Sequence, residues 1–434
     1  MALKLQREEK IMTDKIQGII DRRSVLKGVG AIGATALIST PYVARAQANT
    51  IRIGVPTILS GRVAILGESS RAALEMAARE FNEAGGLNGR EVEMIFRDTK
   101  AAPDEAARVT RELVNSEDCG IIIDAEASTG AFAVQEVVRQ LGVLCLHTNS
   151  ETSSLTADPK IRSETAFRCA RQGIHDAVAG GLYASEISKA ENKRRWMSAS
   201  PDYAYGRDNT AQFMEFLQLY DDQVEVIEQV WPKLFEPDYT TYVTRILQHK
   251  PDALYSALWG GDLVAFIEQS SLYGLFGGNT SFFSGSLADP PVLSAITQVP
   301  AGLHSVFRYD PQYPETEANT TFAETYKSGA GYYPTNWAWQ TYTAMQFVVE
   351  ALRRAGGDAD AKALAGEIAG MEIDVPYATN GKVQMREDDH TLINYPVAWG
   401  VTKSDPTGMT NWVAGDWSEI LAQEKEWKQR QGYL

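Results

Sequence analysis

Residues 50–89 read TIRIGVPTILSGRVAILGESSRAALEMAAREFNEAGGLNG, and this stretch decides the fold. Apolar residues alternate over 51–55, which predicts a short buried strand. Residues 70–84 carry an apolar stripe at helical spacing and predict a helix, which a glycine pair ends because glycine readily turns left-handed. A second strand is predicted over 92–96. The order strand, helix, strand predicts a parallel sheet with ligand-binding loops at the carboxyl ends of its strands.

The same alternation of strands and helices continues along the chain. Apolar strands are predicted at 121–123 and 143–146, with a helix between them. The pattern starts again near Gln172 and runs through a second series of strands and helices. Two such series predict an α/β protein with two lobes joined by crossovers.

An ordered set of short motifs in the first series carries a resemblance. Residues 59–61 are Leu-Ser-Gly, 67–68 are Gly-Glu, 82–90 are Asn-Glu-Ala-Gly-Gly-Leu-Asn-Gly-Arg and 97–99 are Arg-Asp-Thr. The set resembles the periplasmic binding proteins of branched-chain amino acid ABC transporters, which form the leucine/isoleucine/valine-binding family. The resemblance extends over about residues 50–400.

This resemblance implies a type I periplasmic binding protein fold, in which two doubly wound parallel-sheet lobes are joined by hinge crossovers. A small ligand would lie between the lobes, and the permease subunits of an ABC transporter would be the protein partner. The predicted limits are 49–169 and 301–382 for lobe I, and 170–300 and 383–434 for lobe II.

The N-terminal region has the pattern of an export signal. Residues 22–27 read Arg-Arg-Ser-Val-Leu-Lys, which resembles a twin-arginine motif. An uncharged apolar run follows over 28–40, shorter than the roughly 20 residues that span a bilayer. Cleavage sites of the A-x-A type occur at 44–46 and 46–48. We expect residues 1–48 to be an export signal with an N-terminal extension, cleaved near its end to leave a periplasmic protein.

Composition and motifs exclude several function classes. The formal net charge is −15, and the acidic chain argues against a nucleic-acid partner, which needs basic patches. No C-x-x-C, H-E-x-x-H, G-x-S-x-G or P-loop motif occurs, so neither a metal site, a cofactor nor a catalytic residue is predicted. We therefore expect a binding protein rather than an enzyme. An acid–base pair of His147 with Glu151 is the catalytic alternative.

The three cysteines allow two interpretations. Cys119 and Cys145 enter consecutive predicted strands, and a disulfide between them is compatible with an oxidising periplasm. Alternatively, both of these and Cys169 are buried thiols that pack as small hydrophobic side chains.

Ser128 and Thr129 are the first candidate ligand-binding residues. They lie after an apolar strand, at the predicted start of a helix. The free N–H groups and the dipole of a helix N-terminus suit a carboxylate, and the two hydroxyls add further donors. Simple capping of the helix by Ser128 is the structural alternative.

The loop after the next strand departs from the amino-acid-binding pattern of the family. Asn149, Ser150 and Glu151 occupy positions where that pattern has small and hydroxyl residues, and Ser286 falls near the carboxylate that partners the ligand's amino group. Either Glu151 supplies the missing charge, or the ligand is not an α-amino acid but an amide, a urea-like compound or an aromatic acid. A solvent-facing Glu151 is the structural alternative.

Aromatic residues at the predicted cleft complete the candidate site. Tyr205 and Trp259 lie on the ligand edge of the second lobe, and Leu66 lies in the loop with Gly67-Glu68. Trp339 lies near the start of a helix that borders the cleft in the family. Aromatic rings there would stack on an apolar or planar ligand, with core packing as the alternative.

These observations predict an extracytoplasmic solute receptor that binds a small polar organic ligand, an amino acid or a related carboxylate, between two lobes and delivers it to an ABC permease. We expect it to act as a monomer. A receptor for an amide, a urea-like compound or an aromatic acid, and a sensor domain with the same fold, remain the alternatives.

Overall fold

The computed structural model describes residues 50–434, and the first lobe begins with the predicted strand–helix–strand unit. Its strands are β1 (Thr50–Thr57), β2 (Glu91–Asp98), β3 (Ile121–Asp124), β4 (Leu144–His147) and β5 (Ala166–Arg168). All are parallel, in the order β2-β1-β3-β4-β5. Their carboxyl ends therefore meet at one edge of the sheet, as the sequence predicts.

Helices cover both faces of this sheet. They are α1 (Ile65–Glu83), α2 (Pro103–Asn115), α3 (Ser128–Leu141) and the short α4 (Ser154–Ala157). Ile121 and Ile123 pack in the core formed with α1, whereas Ile122 faces the opposite side and packs with residues of α2 and α3. Successive side chains of a strand point to opposite faces, so the all-apolar β3 reflects burial on both sides.

The second lobe contains a sheet of seven strands. They are β6 (Arg195–Ala199), β7 (Glu225–Val230), β8 (Ala253–Ser256), β9 (Ser281–Ser284), β10 (His304–Val306), β14 (Ala398–Ser404) and β15 (Thr407–Ala414). Their order is β15-β14-β10-β9-β8-β6-β7, with β6–β10 parallel and the last two strands antiparallel. The accompanying helices are α5 (Gly173–Glu191), α6 (Ala204–Tyr220), α7 (Thr240–His249), α8 (Gly260–Leu272), a 3₁₀ turn (Leu275–Gly277) and α9 (Pro290–Ala295).

The chain then returns to the first lobe before it ends on the second. The remaining elements are α10 (Glu317–Ala330), α11 (Asn336–Arg354), α12 (Ala361–Ile368), β11 (Glu372–Asp374), β12 (Lys382–Met385), β13 (Leu392–Ile393) and α13 (Trp417–Gln431). Both α10 and α11 pack against α1, whereas α13 packs against α5. Strands β11–β13 form a small antiparallel sheet. The result is the predicted α/β architecture of two doubly wound lobes.

Three crossovers connect the lobes, at residues 169–172, 307–316 and 394–397. The first and third are tied together, because Arg171 Nη1 donates to the carbonyl of Pro396 at 2.8 Å. These links fix the base of the cleft between the two sheets.

Strand pairing bears on two of the predicted lobe limits. β10 pairs with β9 in the second sheet, although the sequence prediction starts the return to lobe I at residue 301. β13 pairs with β12, and Thr391, just before β13, forms a β-bridge with Arg168 at the end of β5 in the first lobe. We propose that lobe II extends to about residue 306 and lobe I to about residue 393.

The two lobes are in contact across the cleft. Arg62, in the loop after β1, donates through Nη1 to Asp262 Oδ1 at 3.3 Å and to the carbonyl of Glu236 at 2.6 Å. Trp259 of the second lobe meets Trp337 of α11 edge to face, with ring centroids 5.5 Å apart. These contacts narrow the space between the lobes.

Several other predictions can be compared with the described part of the chain. Cys119, Cys145 and Cys169 are buried and unpaired, which agrees with packing as small hydrophobic side chains rather than with a disulfide. None of the helices within residues 50–434 is both long and apolar enough to cross a bilayer. The predicted twin-arginine motif and cleavage sites lie outside the described residues.

Candidate functional site

A cavity lies between the lobes at the carboxyl ends of their strands. Its volume is about 20 Å³, which is room for about one water molecule. Eleven residues line it: Leu66, Ala127, Ser128, Asn149, Glu151, Tyr203, Tyr205, Trp259, Ser286, Arg308 and Trp337. Polar groups of the first lobe and aromatic groups of the second lobe thus face the same space.

The start of α3 forms one wall of the cavity. Ala127 precedes the helix in an extended conformation, and no side chain caps the first turn. Ser128 is the first helical residue and is buried against the cavity. The N–H groups of a first helical turn have no acceptor within the helix, so this end presents donors and the positive end of the helix dipole to the cavity.

Asn149 and Ser150 differ in their access to the cavity, although they are adjacent. Asn149 lines it, and its Nδ2 donates to Ser70 Oγ at 2.9 Å and to the carbonyl of Ala125 at 3.2 Å. These two bonds hold the amide in place, while Asn149 Oδ1 has no hydrogen-bond partner among the described residues. Ser150 is buried but does not line the cavity.

Glu151 is buried and forms an ion pair with Arg308. Arg308 Nη2 lies 2.5 Å from Glu151 Oε1, and Nη1 lies 3.1 Å from Oε2, so the contact is bidentate. Asn336 Nδ2 also donates to Glu151 Oε1 at 3.1 Å. Solvent exposure of Glu151, the structural alternative, is therefore wrong: the side chain is only 3% exposed.

Arg308 lies in the second crossover, surrounded by carboxylates. Besides Glu151, it lies 3.8 Å from one oxygen of Asp289 and 3.8 Å from one oxygen of Asp176. Burial lowers the pKa of the Arg308 guanidinium, but the charges of Glu151 and Asp289 outweigh burial and raise it. Burial raises the pKa of Asp289 to about 6. Arg308 therefore remains a cation, balanced mainly by Glu151.

The second lobe contributes two more helix N-termini. Tyr203 precedes α6 and Trp259 precedes α8, both in extended conformations and both without a side-chain cap. Gly260 follows Trp259 with a φ of 52°, a left-handed conformation that favours glycine. Three uncapped helix ends, those of α3, α6 and α8, thus have residues on the cavity.

Buried polar atoms at the cavity have no hydrogen-bond partner within residues 50–434. They include Tyr205 OH, Trp259 Nε1 and Ser286 Oγ. Burial raises the pKa of Tyr205 above its ordinary value, so the phenol keeps a proton that it can donate. Since buried polar groups normally have partners, these groups indicate a polar ligand: Trp259 Nε1 only donates, the two hydroxyls donate or accept, and Asn149 Oδ1 only accepts.

Seven of the ten predicted binding residues line the cavity: Leu66, Ser128, Asn149, Glu151, Tyr205, Trp259 and Ser286. Thr129, Ser150 and Trp339 do not. Thr129 faces solvent, because it is rotated away from Ser128 on the helix. Trp339 is buried in the core, where its Nε1 donates to the carbonyl of Arg308 at 3.0 Å.

Four lining residues were not predicted from the sequence: Ala127, Tyr203, Arg308 and Trp337. Ala127 and Tyr203 directly precede helices, so each is a neighbour of a predicted site residue. Trp337 lies two residues before Trp339, and the choice between them depends on the rotation of α11. Arg308 lies in a crossover without periodicity, and no sequence signal distinguishes it from a solvent-exposed arginine.

The catalytic alternative is not supported by the geometry of its two residues. His147 Nδ1 lies 2.6 Å from Asp124 Oδ2, and His147 Nε2 lies 2.7 Å from Gln135 Oε1. Both ring nitrogens are thus occupied away from the cavity, while Glu151 is bound to Arg308. Within residues 50–434, no group of His, Cys, Asp and Glu has the arrangement of a metal site.

Comparison with known proteins identifies the family. The periplasmic binding protein family model matches residues 50–403. Leu/Ile/Val-binding protein homolog 4 of Brucella abortus is 25% identical over 378 residues, which cover 82% of this chain and 85% of the relative.

Two solved structures share the fold. The solute binding protein of an ABC transporter from Rhodopseudomonas palustris BisB5, in complex with 3,4-dihydroxybenzoic acid, has a TM-score of 0.76 at 21% identity, over 84% of this chain and 97% of that one. The closed leucine-, isoleucine-, valine-, threonine- and alanine-binding protein of Brucella ovis has a TM-score of 0.70 at 23% identity, over 85% of this chain and 94% of that one. The chain belongs to the periplasmic binding protein family and has its type I fold.

Proposed function

We propose that this chain is an extracytoplasmic receptor that captures a small aromatic carboxylate between its lobes and delivers it to the permease subunits of an ABC transporter. The observation that carries the proposal is the combination of unpaired donors, aromatic rings and a neutralised carboxylate in one cavity between the lobes.

The donors support a carboxylate ligand. Ser128 and the uncapped start of α3 offer a hydroxyl, free N–H groups and a favourable dipole. Tyr205 and Ser286 offer further hydroxyls without partners. A carboxylate accepts several such bonds at once, and bonds to a charged group are the stronger ones.

The charges disfavour an α-amino acid. Within residues 50–434, Glu151 is the only carboxylate that lines the cavity, and Arg308 already occupies both of its oxygens. A bound ammonium would therefore be buried without a free anion, which costs several kcal/mol. An acid without an amino group avoids this cost.

The aromatic side chains support a ring on the ligand. Tyr203, Tyr205, Trp259 and Trp337 supply four of the eleven lining residues. Ring faces and edges pair favourably with another ring, beyond the gain from burying apolar surface. The cavity has room for about one water molecule, with a volume of about 20 Å³, so the lobes would part to admit a ring and close again around it.

The similar proteins include both an aromatic acid receptor and a protein named for aliphatic amino acids. The Rhodopseudomonas palustris neighbour is described in complex with 3,4-dihydroxybenzoic acid, a ring carboxylate. The Brucella abortus relative is named for leucine, isoleucine and valine. An aliphatic amino acid is therefore the second candidate, and Ser128 at the start of α3 is equally compatible with its carboxylate.

The mechanism follows from the contacts across the cleft. The ligand would first dock on one lobe, and the lobes would then close, because only the closed form makes both sets of contacts. The permease would recognise that form, and the ligand would leave unchanged. Neither a cofactor, a nucleic acid nor a second copy of the chain is part of this mechanism.

Calorimetric titration with matched ligands tests the proposal. Phenylacetate and L-phenylglycine differ only in the ammonium group, and benzoate and benzamide differ only in the charged oxygen. We expect the purified protein to bind phenylacetate or benzoate, and to bind L-phenylglycine, benzamide and leucine at least a hundredfold more weakly. Tighter binding of leucine or L-phenylglycine than of both acids would overturn the proposal.

A further inference from the structure

We infer that the ion pair between Glu151 and Arg308 sets the class of ligand, because it prevents Glu151 from binding an ammonium. The inference rests on the proposed function and names the residues that determine its specificity. Arg308 is a positioning residue: it acts by binding Glu151, so that the Glu151 carboxylate is not available to a ligand ammonium.

The geometry leaves Glu151 little capacity for a cation, because three donors already use three of its roughly four lone-pair sites. Both carboxylate oxygens face Arg308 nitrogens, at 2.5 and 3.1 Å, and Asn336 Nδ2 adds a third donor at 3.1 Å. Both charged side chains are buried, at 2% exposure for Arg308 and 3% for Glu151. A ligand ammonium would have to approach the remaining lone pair of Oε2 beside the like charge of the Arg308 guanidinium, or displace a bidentate contact, which is among the strongest that a carboxylate makes.

Arg308 is held in this position from several sides. Its main-chain carbonyl accepts a hydrogen bond from Trp339 Nε1 at 3.0 Å, which anchors the crossover to α11. Its guanidinium also lies 3.8 Å from Asp176 and 3.8 Å from Asp289. Swinging the side chain away would separate it from three carboxylates, so the pair does not open readily.

The balance of nearby charges predicts what each residue does when the other is removed. Five ionisable side chains form this cluster: Arg171, Arg308, Glu151, Asp176 and Asp289. Three carboxylates already face two cations in this cluster. Removing the Arg308 charge leaves three carboxylates and one cation, so Glu151 loses its partner and a ligand ammonium can take the place of the guanidinium. Without the Glu151 charge, the guanidinium faces the cavity and is free to take a second anion.

Two reciprocal substitutions therefore test the inference, with phenylacetate and L-phenylglycine as probes in calorimetric titrations at pH 8. In Arg308→Met, we expect affinity for L-phenylglycine to rise at least tenfold relative to the unmodified protein. In Glu151→Gln, we expect affinity for phenylacetate to rise at least tenfold, with L-phenylglycine still excluded.

A double variant and a control variant separate a change of ligand preference from a general loss of folding. The double variant Arg308→Met with Glu151→Gln removes both charges, and we expect neither gain in it. Arg194→Met is the matched control, because it breaks an arginine–aspartate pair with Asp221 elsewhere in the second lobe, outside the cavity lining, and we expect the ligand preference to be unchanged. If Arg308→Met does not fold, Glu151→Gln still tests the inference.

The outcomes distinguish this inference from the proposed function. If the unmodified protein binds L-phenylglycine more tightly than phenylacetate, the proposed function fails. If the unmodified protein prefers phenylacetate but neither single variant shows its expected gain, the ion pair does not determine the ligand class and only the inference fails. A gain for either probe in the Arg194→Met control would also overturn it.

Discussion

The two walls of the cleft differ in chemistry. On the first lobe, Ser128, Asn149 and the paired Glu151 form a polar wall beside the apolar Leu66, Ala127 and Trp337, whereas on the second lobe Tyr203, Tyr205 and Trp259 form an aromatic wall beside Ser286. The difference indicates that each lobe contacts a different end of the ligand. On the proposed function, the first lobe holds the charged end and the second lobe closes over the ring.

The largest expected effect on ligand affinity comes from the aromatic wall. In Trp259→Ala, the ring and its edge-to-face contact with Trp337 are lost. Because buried aromatic anchors dominate binding energies, we expect ligand affinity to fall about a hundredfold, or about 3 kcal/mol, in calorimetric titration.

Trp231→Ala is the matched control for this variant. Trp231 is also in the second lobe, but it stacks on Arg207 and does not line the cavity. We expect its ligand affinity to match the unmodified protein. An equal loss of ligand affinity in both variants would mean that Trp259 affects binding only through the stability of the fold.

The polar wall predicts a distinctive pH dependence of stability. Glu126, next to Ala127 at the start of α3, is buried, and burial raises its pKa from the ordinary 4.5 to about 8. Between these values the folded protein keeps a proton that the unfolded chain releases, so this residue makes stability fall as pH rises from about 4.5 to 8.

Glu126→Gln isolates that contribution. Its amide oxygen can still accept from the N–H of Ala127, the bond that Glu126 Oε1 accepts at 2.8 Å. We expect the variant to be more stable than the unmodified protein at pH 8 by about 4 kcal/mol, and the difference to vanish near pH 4. Denaturant unfolding at several pH values checks this, and a pH-independent difference would contradict it.

A smaller effect is expected where the polar wall meets the ligand. Ser128→Ala removes one hydroxyl donor but leaves the N–H groups of the α3 N-terminus. We expect carboxylate affinity to fall about tenfold, or about 1.4 kcal/mol. Thr129→Ala is the control, because Thr129 faces solvent one residue further along the helix, and an equal loss there would contradict direct binding by Ser128.

The smallest effect on ligand affinity is expected at the contact that Arg62 makes between the two lobes. Arg62 reaches across the cleft to Asp262 and Glu236, but its side chain is 36% exposed. In Arg62→Ala, we expect affinity to fall about threefold or less at low salt, and the difference to disappear at high salt because exposed ion pairs are weak and screened. A large loss that persists in high salt would show that Arg62 has a direct role in binding.

The sequence predicts the first-lobe wall better than the second crossover. Ser128 follows an apolar strand at a helix start, and this local pattern alone indicates a residue at the ligand edge. Arg308 lies between elements, where neither strand nor helix periodicity gives a direction. Its pairing with Glu151, 157 residues away in the chain, depends on how the lobes fold together.

Trp337 and Trp339 illustrate a second limit on predicting site residues from the sequence. Residues two apart on a helix point about 200° away from each other, so only one of the pair can face the cavity. The sequence locates the helix but not its rotation, and the prediction chose Trp339, which lies in the core. Thr129 follows the same rule, because it is about 100° from Ser128 and faces solvent.

A crystal structure of the protein with bound phenylacetate tests the central claim most directly. We predict that the carboxylate lies within hydrogen-bonding distance of Ser128 and the first turn of α3, that the ring lies against Tyr205 and Trp259, and that Glu151 remains paired with Arg308. A carboxylate bound at the second-lobe wall with the ring against Ser128, or a ligand that separates Glu151 from Arg308, would contradict the account.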